Sequence, residues 1–415
     1  MGGYDDPMSV PQQSHPAGVV WRFGDFELDT ARYELRGKGS VIRIEPQVFD
    51  VLTQLVSNRE RLVTKEELFD TVWGGRFVGE AALTSRIKAA RRALGDDGEA
   101  QSFIRTVRGR GYQFVGTVRE PEAAPPAEPV APLPRQSIAF TRAADGIRLA
   151  YAVSGDGPPL VRAANWMTHL GYDIESPVWS HWVRDLSVGQ KLIRYDERGC
   201  GLSDWEAGAF TFEDWVADLE SVVEALDLQR FPLLGVSQGG AVAVAYAARH
   251  PEKVSKLVLC GAYARGRAAR AVSDAEKSAA ALDLDLARVG WGRDDPAFRQ
   301  VFAAQFLPDG SRADWAAFDQ LQRRTTSPEN AVRFLEQFAT IDVVEQARDV
   351  KCPTLILHSR EDHRVPMQAG QELAGLIPES RLVALDSKNH LLTSAEPAWR
   401  VFRDEVATFL TATSP

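Results

Sequence analysis

Between Trp21 and Ile44 apolar and polar residues alternate, with turn-type residues separating the runs, and this two-residue period predicts short antiparallel strands. The period then lengthens. In "PQVFDVLTQLVSN" Val48, Phe49, Leu52, Leu55 and Val56 share one helical face, and Thr64 with Glu67 makes a T-x-x-E capping box opening "KEELFDTVW". A third helix, over about 80 to 94, turns Leu83, Ile87, Ala90 and Leu94 inward. Alternation returns in "FIRTVRGRGYQFV", which predicts a hairpin whose glycines permit a tight tip. Both periods stop at "EPEAAPPAEPVAPLP", where six prolines among Ala and Glu favour an extended spacer. Beyond it, strand-like runs ("IRLAYAVSG", "PPLVRAAN", "KLIRYDERG", "FPLLGVS", "VSKLVLCG", "PTLILHSR", "SRLVALD") alternate with helical stretches such as "TFEDWVADLESVVEALDL". That rhythm implies a mostly parallel sheet covered by helices. From about 263 to 345 only helical patterning continues, as expected of a cap inserted between two strands.

Composition adds constraints. A chain of 415 residues, 44% apolar and 25% charged, is too long for one ordinary core. Cys200, Cys260 and Cys352 are too widely spaced for a disulfide framework or a zinc pattern, and are expected to be reduced thiols. No metal and no cofactor is expected. Without an apolar leader segment or a run of about 18 apolar residues, the reading is a cytoplasmic protein with no membrane contact. The net charge of −9 is unevenly placed. Residues 1 to 118 balance 16 basic against 16 acidic side chains, yet residues 86 to 110 hold seven basic and three acidic ones. A local basic face on an acidic chain points to a polyanionic partner.

Strands, three helices, the third basic outside and apolar inside, and an Arg-Gly hairpin form the order of a winged helix-turn-helix. "LVTKEELFDTVWG", "LTSRIKAARRALGDDG" and "IRTVRGRGYQFVG" resemble the OmpR/PhoB-type DNA-binding domain over residues 20 to 116. The third helix offers Thr84, Ser85, Arg86, Lys88, Arg91 and Arg92 outward. The resemblance implies Arg86 and Lys88 near base edges of double-stranded promoter DNA, Arg91, Arg92 and Thr106 at phosphates, and Arg108 and Arg110 on the wing.

Downstream, Gly235-Val236-Ser237-Gln238-Gly239 is a G-x-S-x-G motif between the apolar run "FPLLGV" and the small-residue helix "GGAVAVAYAARHP", the strand-turn-helix setting of a nucleophile elbow. A serine needs a base, and the base an orienting acid. A carboxylate-rich loop follows "PTLILHSR" and a histidine follows "SRLVALDSKN". From about 137 to 412 the chain resembles the α/β-hydrolase superfamily, including "YDERGCGLSD". That resemblance implies Ser237 as nucleophile, His390 as base and Asp362 as acid, with Glu361 and Asp386 as rival acids that the family spacing before "VP" disfavours. His358 and His363 flank the acid without a metal-ligand pattern. Many relatives have His-Gly where this chain has Asn165 and Trp166, so the oxyanion donors would be the backbone N–H groups of Trp166 and Gln238. The same Asn/Trp entrance, with "SPVWSHW", is similar to hydrolase-type domains fused to bacterial regulatory modules.

The expected organisation is therefore multidomain. It comprises a flexible N-terminus (1 to 18), a winged-helix domain of α+β class (19 to 118), a Pro-rich linker (119 to 136), and an α/β-hydrolase domain (137 to 415) with a cap over about 263 to 345. Ten aromatics bear on the pocket: Trp291, Phe302, Phe306, Trp315, Phe318, Phe334 and Phe338 from the cap, and Trp166, Trp179 and Trp182 from the body. Most should be packing, with Asn165, Trp166, Trp179 and Trp182 as the expected lining, and even two or three lining aromatics favour an apolar or aromatic small-molecule ligand. Cys200 is either a redox sensor or, more in keeping with its lack of an activating pair, a buried inert thiol. Three functions compete: a regulator that binds and hydrolyses its ligand, a sensor without turnover, and a metabolic serine hydrolase with a vestigial DNA reader. A homodimer is a further expectation, since cap closure offers a way to create or bury a subunit surface.

Overall fold

The structure is a computed structural model that describes residues 20–30, 33–38, 40–73, 79–119, 132–208, 210–291, 293 and 296–412, with backbone alone for 296–299. The chain divides into two units between Val130 and Ala131. The expected flexible N-terminus and most of the expected linker lie outside the described residues.

In the first unit, β1 (Val20–Phe23), β2 (Phe26–Asp29), β3 (Glu34–Gly37) and β4 (Ser40–Ile42) form an antiparallel meander. Three helices follow, α1 (Pro46–Ser57), α2 (Lys65–Trp73) and α3 (Glu80–Ala93), with the short β5 (Val63–Thr64) before α2. The unit closes with the hairpin β6 (Ile104–Val107) and β7 (Gly111–Phe114), then β8 (Val118–Arg119), which returns to pair with β1. The apolar stripes of α1 and α3 are buried as their spacing requires: Phe49, Leu52, Leu55, Leu83, Ile87 and Ala90 are all within the core. At α2 only half of the capping box forms. Thr64 Oγ1 accepts from the Glu67 N–H at 3.1 Å, while the Glu67 carboxylate turns to Arg61 instead.

The second unit is an eight-stranded sheet, in the order β16-β15-β14-β13-β11-β12-β10-β9. Its strands are β9 (Gln136–Arg142), β10 (Arg148–Ser154), β11 (Pro159–Arg162), β12 (Lys191–Tyr195), β13 (Phe231–Val236), β14 (Val254–Cys260), β15 (Thr354–Ser359) and β16 (Ser380–Leu385). From β12 to β16 the pairing is parallel, and β9 and β10 pair antiparallel at one edge. β9 was not anticipated. Its half-exposed, mixed sequence carries a weak alternation directly after the prolines, and only its pairing along all of β10 defines it. Helices between the strands are α4 (Leu170–Asp173), α5 (Ser180–Leu186), α6 (Phe212–Ala225) and α7 (Gln238–Arg249). A helical insertion, α8 (Asp274–Gly290), α9 (Pro296–Phe306), α10 (Arg312–Thr325) and α11 (Pro328–Thr340), lies between β14 and β15, followed by α12 (Val344–Asp349). α13 (Met367–Leu376) and α14 (Pro397–Thr411) complete the chain. β13 and β14 are covered on both faces, which is why their sequences are continuous apolar runs rather than alternating ones. No described helix is long and apolar enough to cross a membrane.

Candidate functional site

β11 lies between β12 and β13, so the chain leaves it toward one side of the sheet and later comes back to the other. Such a switch point opens a crevice at the carboxyl ends of the strands. Asn165 and Trp166 follow β11 there and Ser237 follows β13.

Ser237 has φ 53° and ψ −125°, a conformation costly for a side chain with a Cβ. The surroundings hold it. Its N–H donates to the Cys260 carbonyl at 2.9 Å, and its own carbonyl accepts from Gly240 at 3.0 Å. The flanking glycines are steric necessities: a Cβ at Gly235 would come within 2.5 Å of Gly240 Cα, and one at Gly239 within 2.5 Å of the Ala164 carbonyl oxygen. The turn thus carries the hydroxyl out of the sheet beside the first turn of α7, at the positive end of the helix dipole.

The structure brings Ser237, His390 and Asp362 together. Ser237 Oγ lies 2.8 Å from His390 Nε2, and His390 Nδ1 lies 2.7 Å from Asp362 Oδ2. With Nδ1–H donating to the carboxylate, Nε2 is left to accept from the serine hydroxyl. Asp362 Oδ1 accepts from the backbone N–H groups of Arg364 and Val365 at 2.8 and 2.9 Å. Burial by itself would raise the Asp362 carboxyl, but the charge and hydrogen bond of His390, with the Val365 N–H, hold it below the usual carboxylate range. Glu361 and Asp386 are exposed. His358 is buried behind the acid, its Nε2 2.8 Å from the Val365 carbonyl, and His363 is exposed. The cap reaches this loop too: the Phe306 carbonyl accepts from His390 N–H at 2.9 Å, and its ring meets the imidazole edge-on at 5.4 Å.

Asn165 and Trp166 line the cavity above Ser237, together with Gln238. The Asn165 amide oxygen accepts from the buried Arg162, and its nitrogen donates to the Trp166 carbonyl at 3.0 Å. Trp179 and Trp182 do not line the cavity, contrary to expectation. Both are fully buried behind it, where Trp179 lies 4.1 Å from the Arg162 guanidinium and donates Nε1–H to the Met167 carbonyl at 3.0 Å. Trp182 donates to the Leu392 carbonyl at 3.3 Å. Large rings whose polar edge finds a backbone acceptor pack well inside. Here they brace the loop after β11 and the loop after His390 from the rear.

A buried acid stands behind Gln238. Gln238 Nε2 donates to Glu197 Oε1 at 2.9 Å, and burial pushes the Glu197 carboxyl up to about 8. Arg198, from the same "YDERGCGLSD" loop, pairs with buried Asp218 at 2.6 Å. Cys200 is fully buried, with Sγ 3.3 Å from the Thr168 carbonyl, and burial followed by the nearby Asp196 and Glu197 charges raises its thiol well above the ordinary value. That is the setting of an inert thiol.

Of the seven expected cap aromatics Phe306 and Phe338 line the cavity, with Leu335, and Met167, Tyr263 and Leu391 join from the body. Sequence reasoning missed four charged lining residues: Arg267, Arg270, Asp283 and Arg364. The run "ARGRAAR" held the signal for two of them, but nothing local pairs it with Asp283 or Arg364.

In the first unit, Thr84, Ser85, Lys88 and Arg92 are exposed on α3, and Arg108 and Arg110 at the hairpin tip, around Gly109 with φ +71°. Arg105 is exposed beside them and was not anticipated. Three expected contacts need correction. Arg91 is buried, donating to the Ile104 carbonyl at 2.7 Å and to Thr106 Oγ1 at 2.8 Å, so both Arg91 and Thr106 tie α3 to the hairpin rather than face a phosphate. Arg86 is half-buried and paired with Glu45 at 3.1 Å and Gln47 at 3.1 Å, which holds it back from a base edge. The helical wheel placed Arg91 outside because it counts angles, not the strand packed alongside.

Comparison with known proteins agrees with both units. A family described as alpha/beta hydrolase fold matches residues 170–318, and one described as transcriptional regulatory protein, C terminal, matches residues 39–114. A 2-hydroxymuconate semialdehyde hydrolase of Pseudomonas sp. is 30% identical over 290 residues, covering 64% of this chain and 92% of the relative. A 2-hydroxy-6-oxo-2,4-heptadienoate hydrolase of Pseudomonas putida is 29% identical over 242 residues, 55% of this chain and 78% of the relative. Among solved structures, an esterase from Rhodococcus sp. aligns with TM-score 0.55 and 28% identity over 67% of this chain and all (100%) of its own. The enol-lactonase of Burkholderia xenovorans shares the fold at TM-score 0.54 and 23% identity, over 66% of this chain and 100% of its own.

Proposed function

We propose, because the chain belongs to the α/β hydrolase family and carries an OmpR/PhoB-type DNA-binding domain ahead of it, that it is a transcriptional regulator whose hydrolase unit binds and cleaves a small apolar or aromatic molecule. The observation that carries this reading is the hydrogen-bonded series Ser237, His390, Asp362 at the wall of a capped cavity. His390 Nε2 takes the Ser237 proton as Oγ attacks an acyl carbon. The oxyanion that develops faces the N–H groups of Trp166 and Gln238. His390 then passes the proton to the leaving group, and a water repeats the sequence to free Ser237 as the acid departs. In the DNA-binding unit, Thr84, Ser85 and Lys88 read base edges of duplex promoter DNA, while Arg92, Arg108 and Arg110 meet phosphates. A ligand alters this binding only through different affinities for two arrangements of the protein, and the cap is the element placed to differ between them.

The test is labelling of the full-length protein with a serine-directed fluorophosphonate. Parent protein should label at Ser237, and both Ser237→Ala and His390→Ala should lose the label. A parent that stays unlabelled, beside an esterase that labels in the same tube, would leave only the sensor without turnover.

A further inference from the structure

One wall of the cavity is out of keeping with an apolar ligand. Arg267, Arg270 and Arg364 line it, in a cavity also lined by Trp166, Leu335 and Phe338. The same three arginines also line a second, wider cavity that adjoins the first, with His363, Glu276 and Glu372. They stand on the partition between an inner chamber at Ser237 and an outer one.

Their partners do not balance them. Asp283, buried on α8, pairs with both Arg267 and Arg364, and Gln305 Oε1 accepts from Arg364 at 2.8 Å. Among the described residues Arg270 meets no carboxylate. Its guanidinium donates to the carbonyl oxygens of Arg265 and Arg364 at 3.3 and 3.1 Å and lies 5.7 Å from the Tyr263 ring. The carboxylates of the outer chamber are engaged elsewhere: Glu276 caps α8 through Ser273, and Glu372 pairs with Arg265 at 3.2 Å. On the inner wall three guanidiniums therefore face one carboxylate. Burial lowers the affinity of Arg270 for its proton, so its charge is held there at a cost that an anion would offset. A planar guanidinium with free donors is matched in geometry by a carboxylate.

We propose that the ligand carries a carboxylate, bound by Arg270 with Arg267 and Arg364 at the partition, while its apolar or aromatic body fills the inner chamber over Ser237. This rests on the hydrolase reading above for what happens at Ser237, but the anion site can be tested without turnover. Asp283 is the internal competitor: its single carboxylate is shared by Arg267 and Arg364 and cancels one of the three positive charges while the chamber is unliganded.

The experiment uses full-length Ser237→Ala protein titrated with phenyl-terminated carboxylic acids of graded chain length and with the alcohols of matching length, followed by calorimetry. At least one acid should bind about tenfold or more tightly than its alcohol, the scale of one charge-assisted hydrogen-bond pair. Arg270→Gln should bring acid and alcohol to parity without changing the alcohol. Asp283→Asn, which releases Arg267 and Arg364 from their own carboxylate, should strengthen acid binding severalfold, and serves if the arginine variant fails to fold. No acid preferred over its alcohol in the series, or a preference unmoved by both substitutions, overturns the proposal. Fluorophosphonate labelling of the parent separates the two readings: labelling without acid preference removes the anion site alone, and acid preference without labelling removes turnover alone.

Discussion

The two units treat a buried acid in opposite ways. In the DNA-binding unit Asp96 is buried in the turn after α3. Burial alone would raise it, but backbone N–H groups of Phe103, Ile104, Ser102 and Asp97 donate to its carboxylate and hold it below the ordinary value. In the hydrolase unit Glu197 receives one side-chain hydrogen bond, from Gln238, and burial dominates. The first acid is a structural clamp that is better charged. The second is a group whose carboxyl burial pushes up to about 8, behind Gln238 at the serine turn. Cations divide likewise: the first unit exposes Lys88, Arg92, Arg108 and Arg110, whereas the second buries Arg162, Arg194 and Arg198. Apart from the buried Arg91 and half-buried Arg86, the cations of α3 and the hairpin tip stay outside, where a polyanion can reach them, whereas those three arginines of the second unit serve as internal scaffolding.

The strongest way to separate the units is Ser237→Ala. Hydrolysis of p-nitrophenyl acetate should fall by about 10³-fold or more, as for other serine triads. Binding of a duplex selected from a random pool should not change. A loss of DNA binding in this variant would contradict the division of labour.

Arg91→Ala should come next, and should strike only the first unit. It leaves the Ile104 carbonyl and Thr106 hydroxyl without their donor in the core, at a cost of about 2–4 kcal/mol. Scanning calorimetry should show one early transition, with the hydrolase transition unmoved. An unshifted first transition would return Arg91 to the DNA-facing set.

Glu197→Gln tests the contrast through pH. The ordinary glutamate value is about 4.3 and the folded value about 8. Between them the folded chain retains a proton that the unfolded chain has released, so this group's contribution to stability declines as pH rises from about 4.3 to 8 and is flat below that window. Denaturant unfolding at pH 5 and at pH 8 should therefore show the parent losing on the order of 3–4 kcal/mol more than Glu197→Gln. Parallel behaviour of the two proteins would show that Glu197 is not kept neutral.

The smallest effects belong to the exposed cations. Lys88→Ala should leave thermal stability within about 0.5 kcal/mol and cost about 1–3 kcal/mol of affinity for the selected duplex, with relaxed base preference. Arg110→Ala should weaken all duplexes alike and reduce the slope of log affinity against log salt by about one. Unchanged slopes in both would remove this face from DNA recognition.

Much of this was legible in the chain because period and punctuation are local. The elbow announces itself through an apolar strand, a G-x-S-x-G turn and a small-residue helix within twenty residues, and the wing through alternation about Gly109. What escaped depends on which segments meet. Trp179 and Trp182 read as lining because they follow the Asn-Trp entrance, yet α5 places them behind it. Arg267 and Arg364 are almost a hundred residues apart, and only Asp283 on a third segment makes them one wall. β9 needed its partner to be seen at all.

The bond from His390 N–H to the Phe306 carbonyl gives the cap a clock. An amide held by a carbonyl of the insertion exchanges its hydrogen with solvent only when that insertion lifts or the loop unfolds. Deuterium uptake at 390 thus reports how often that contact opens, at the histidine hydrogen-bonded to Ser237. A molecule that seals the chamber slows that count, and one that props the insertion open quickens it, so the occupancy of the site becomes readable at a single backbone position.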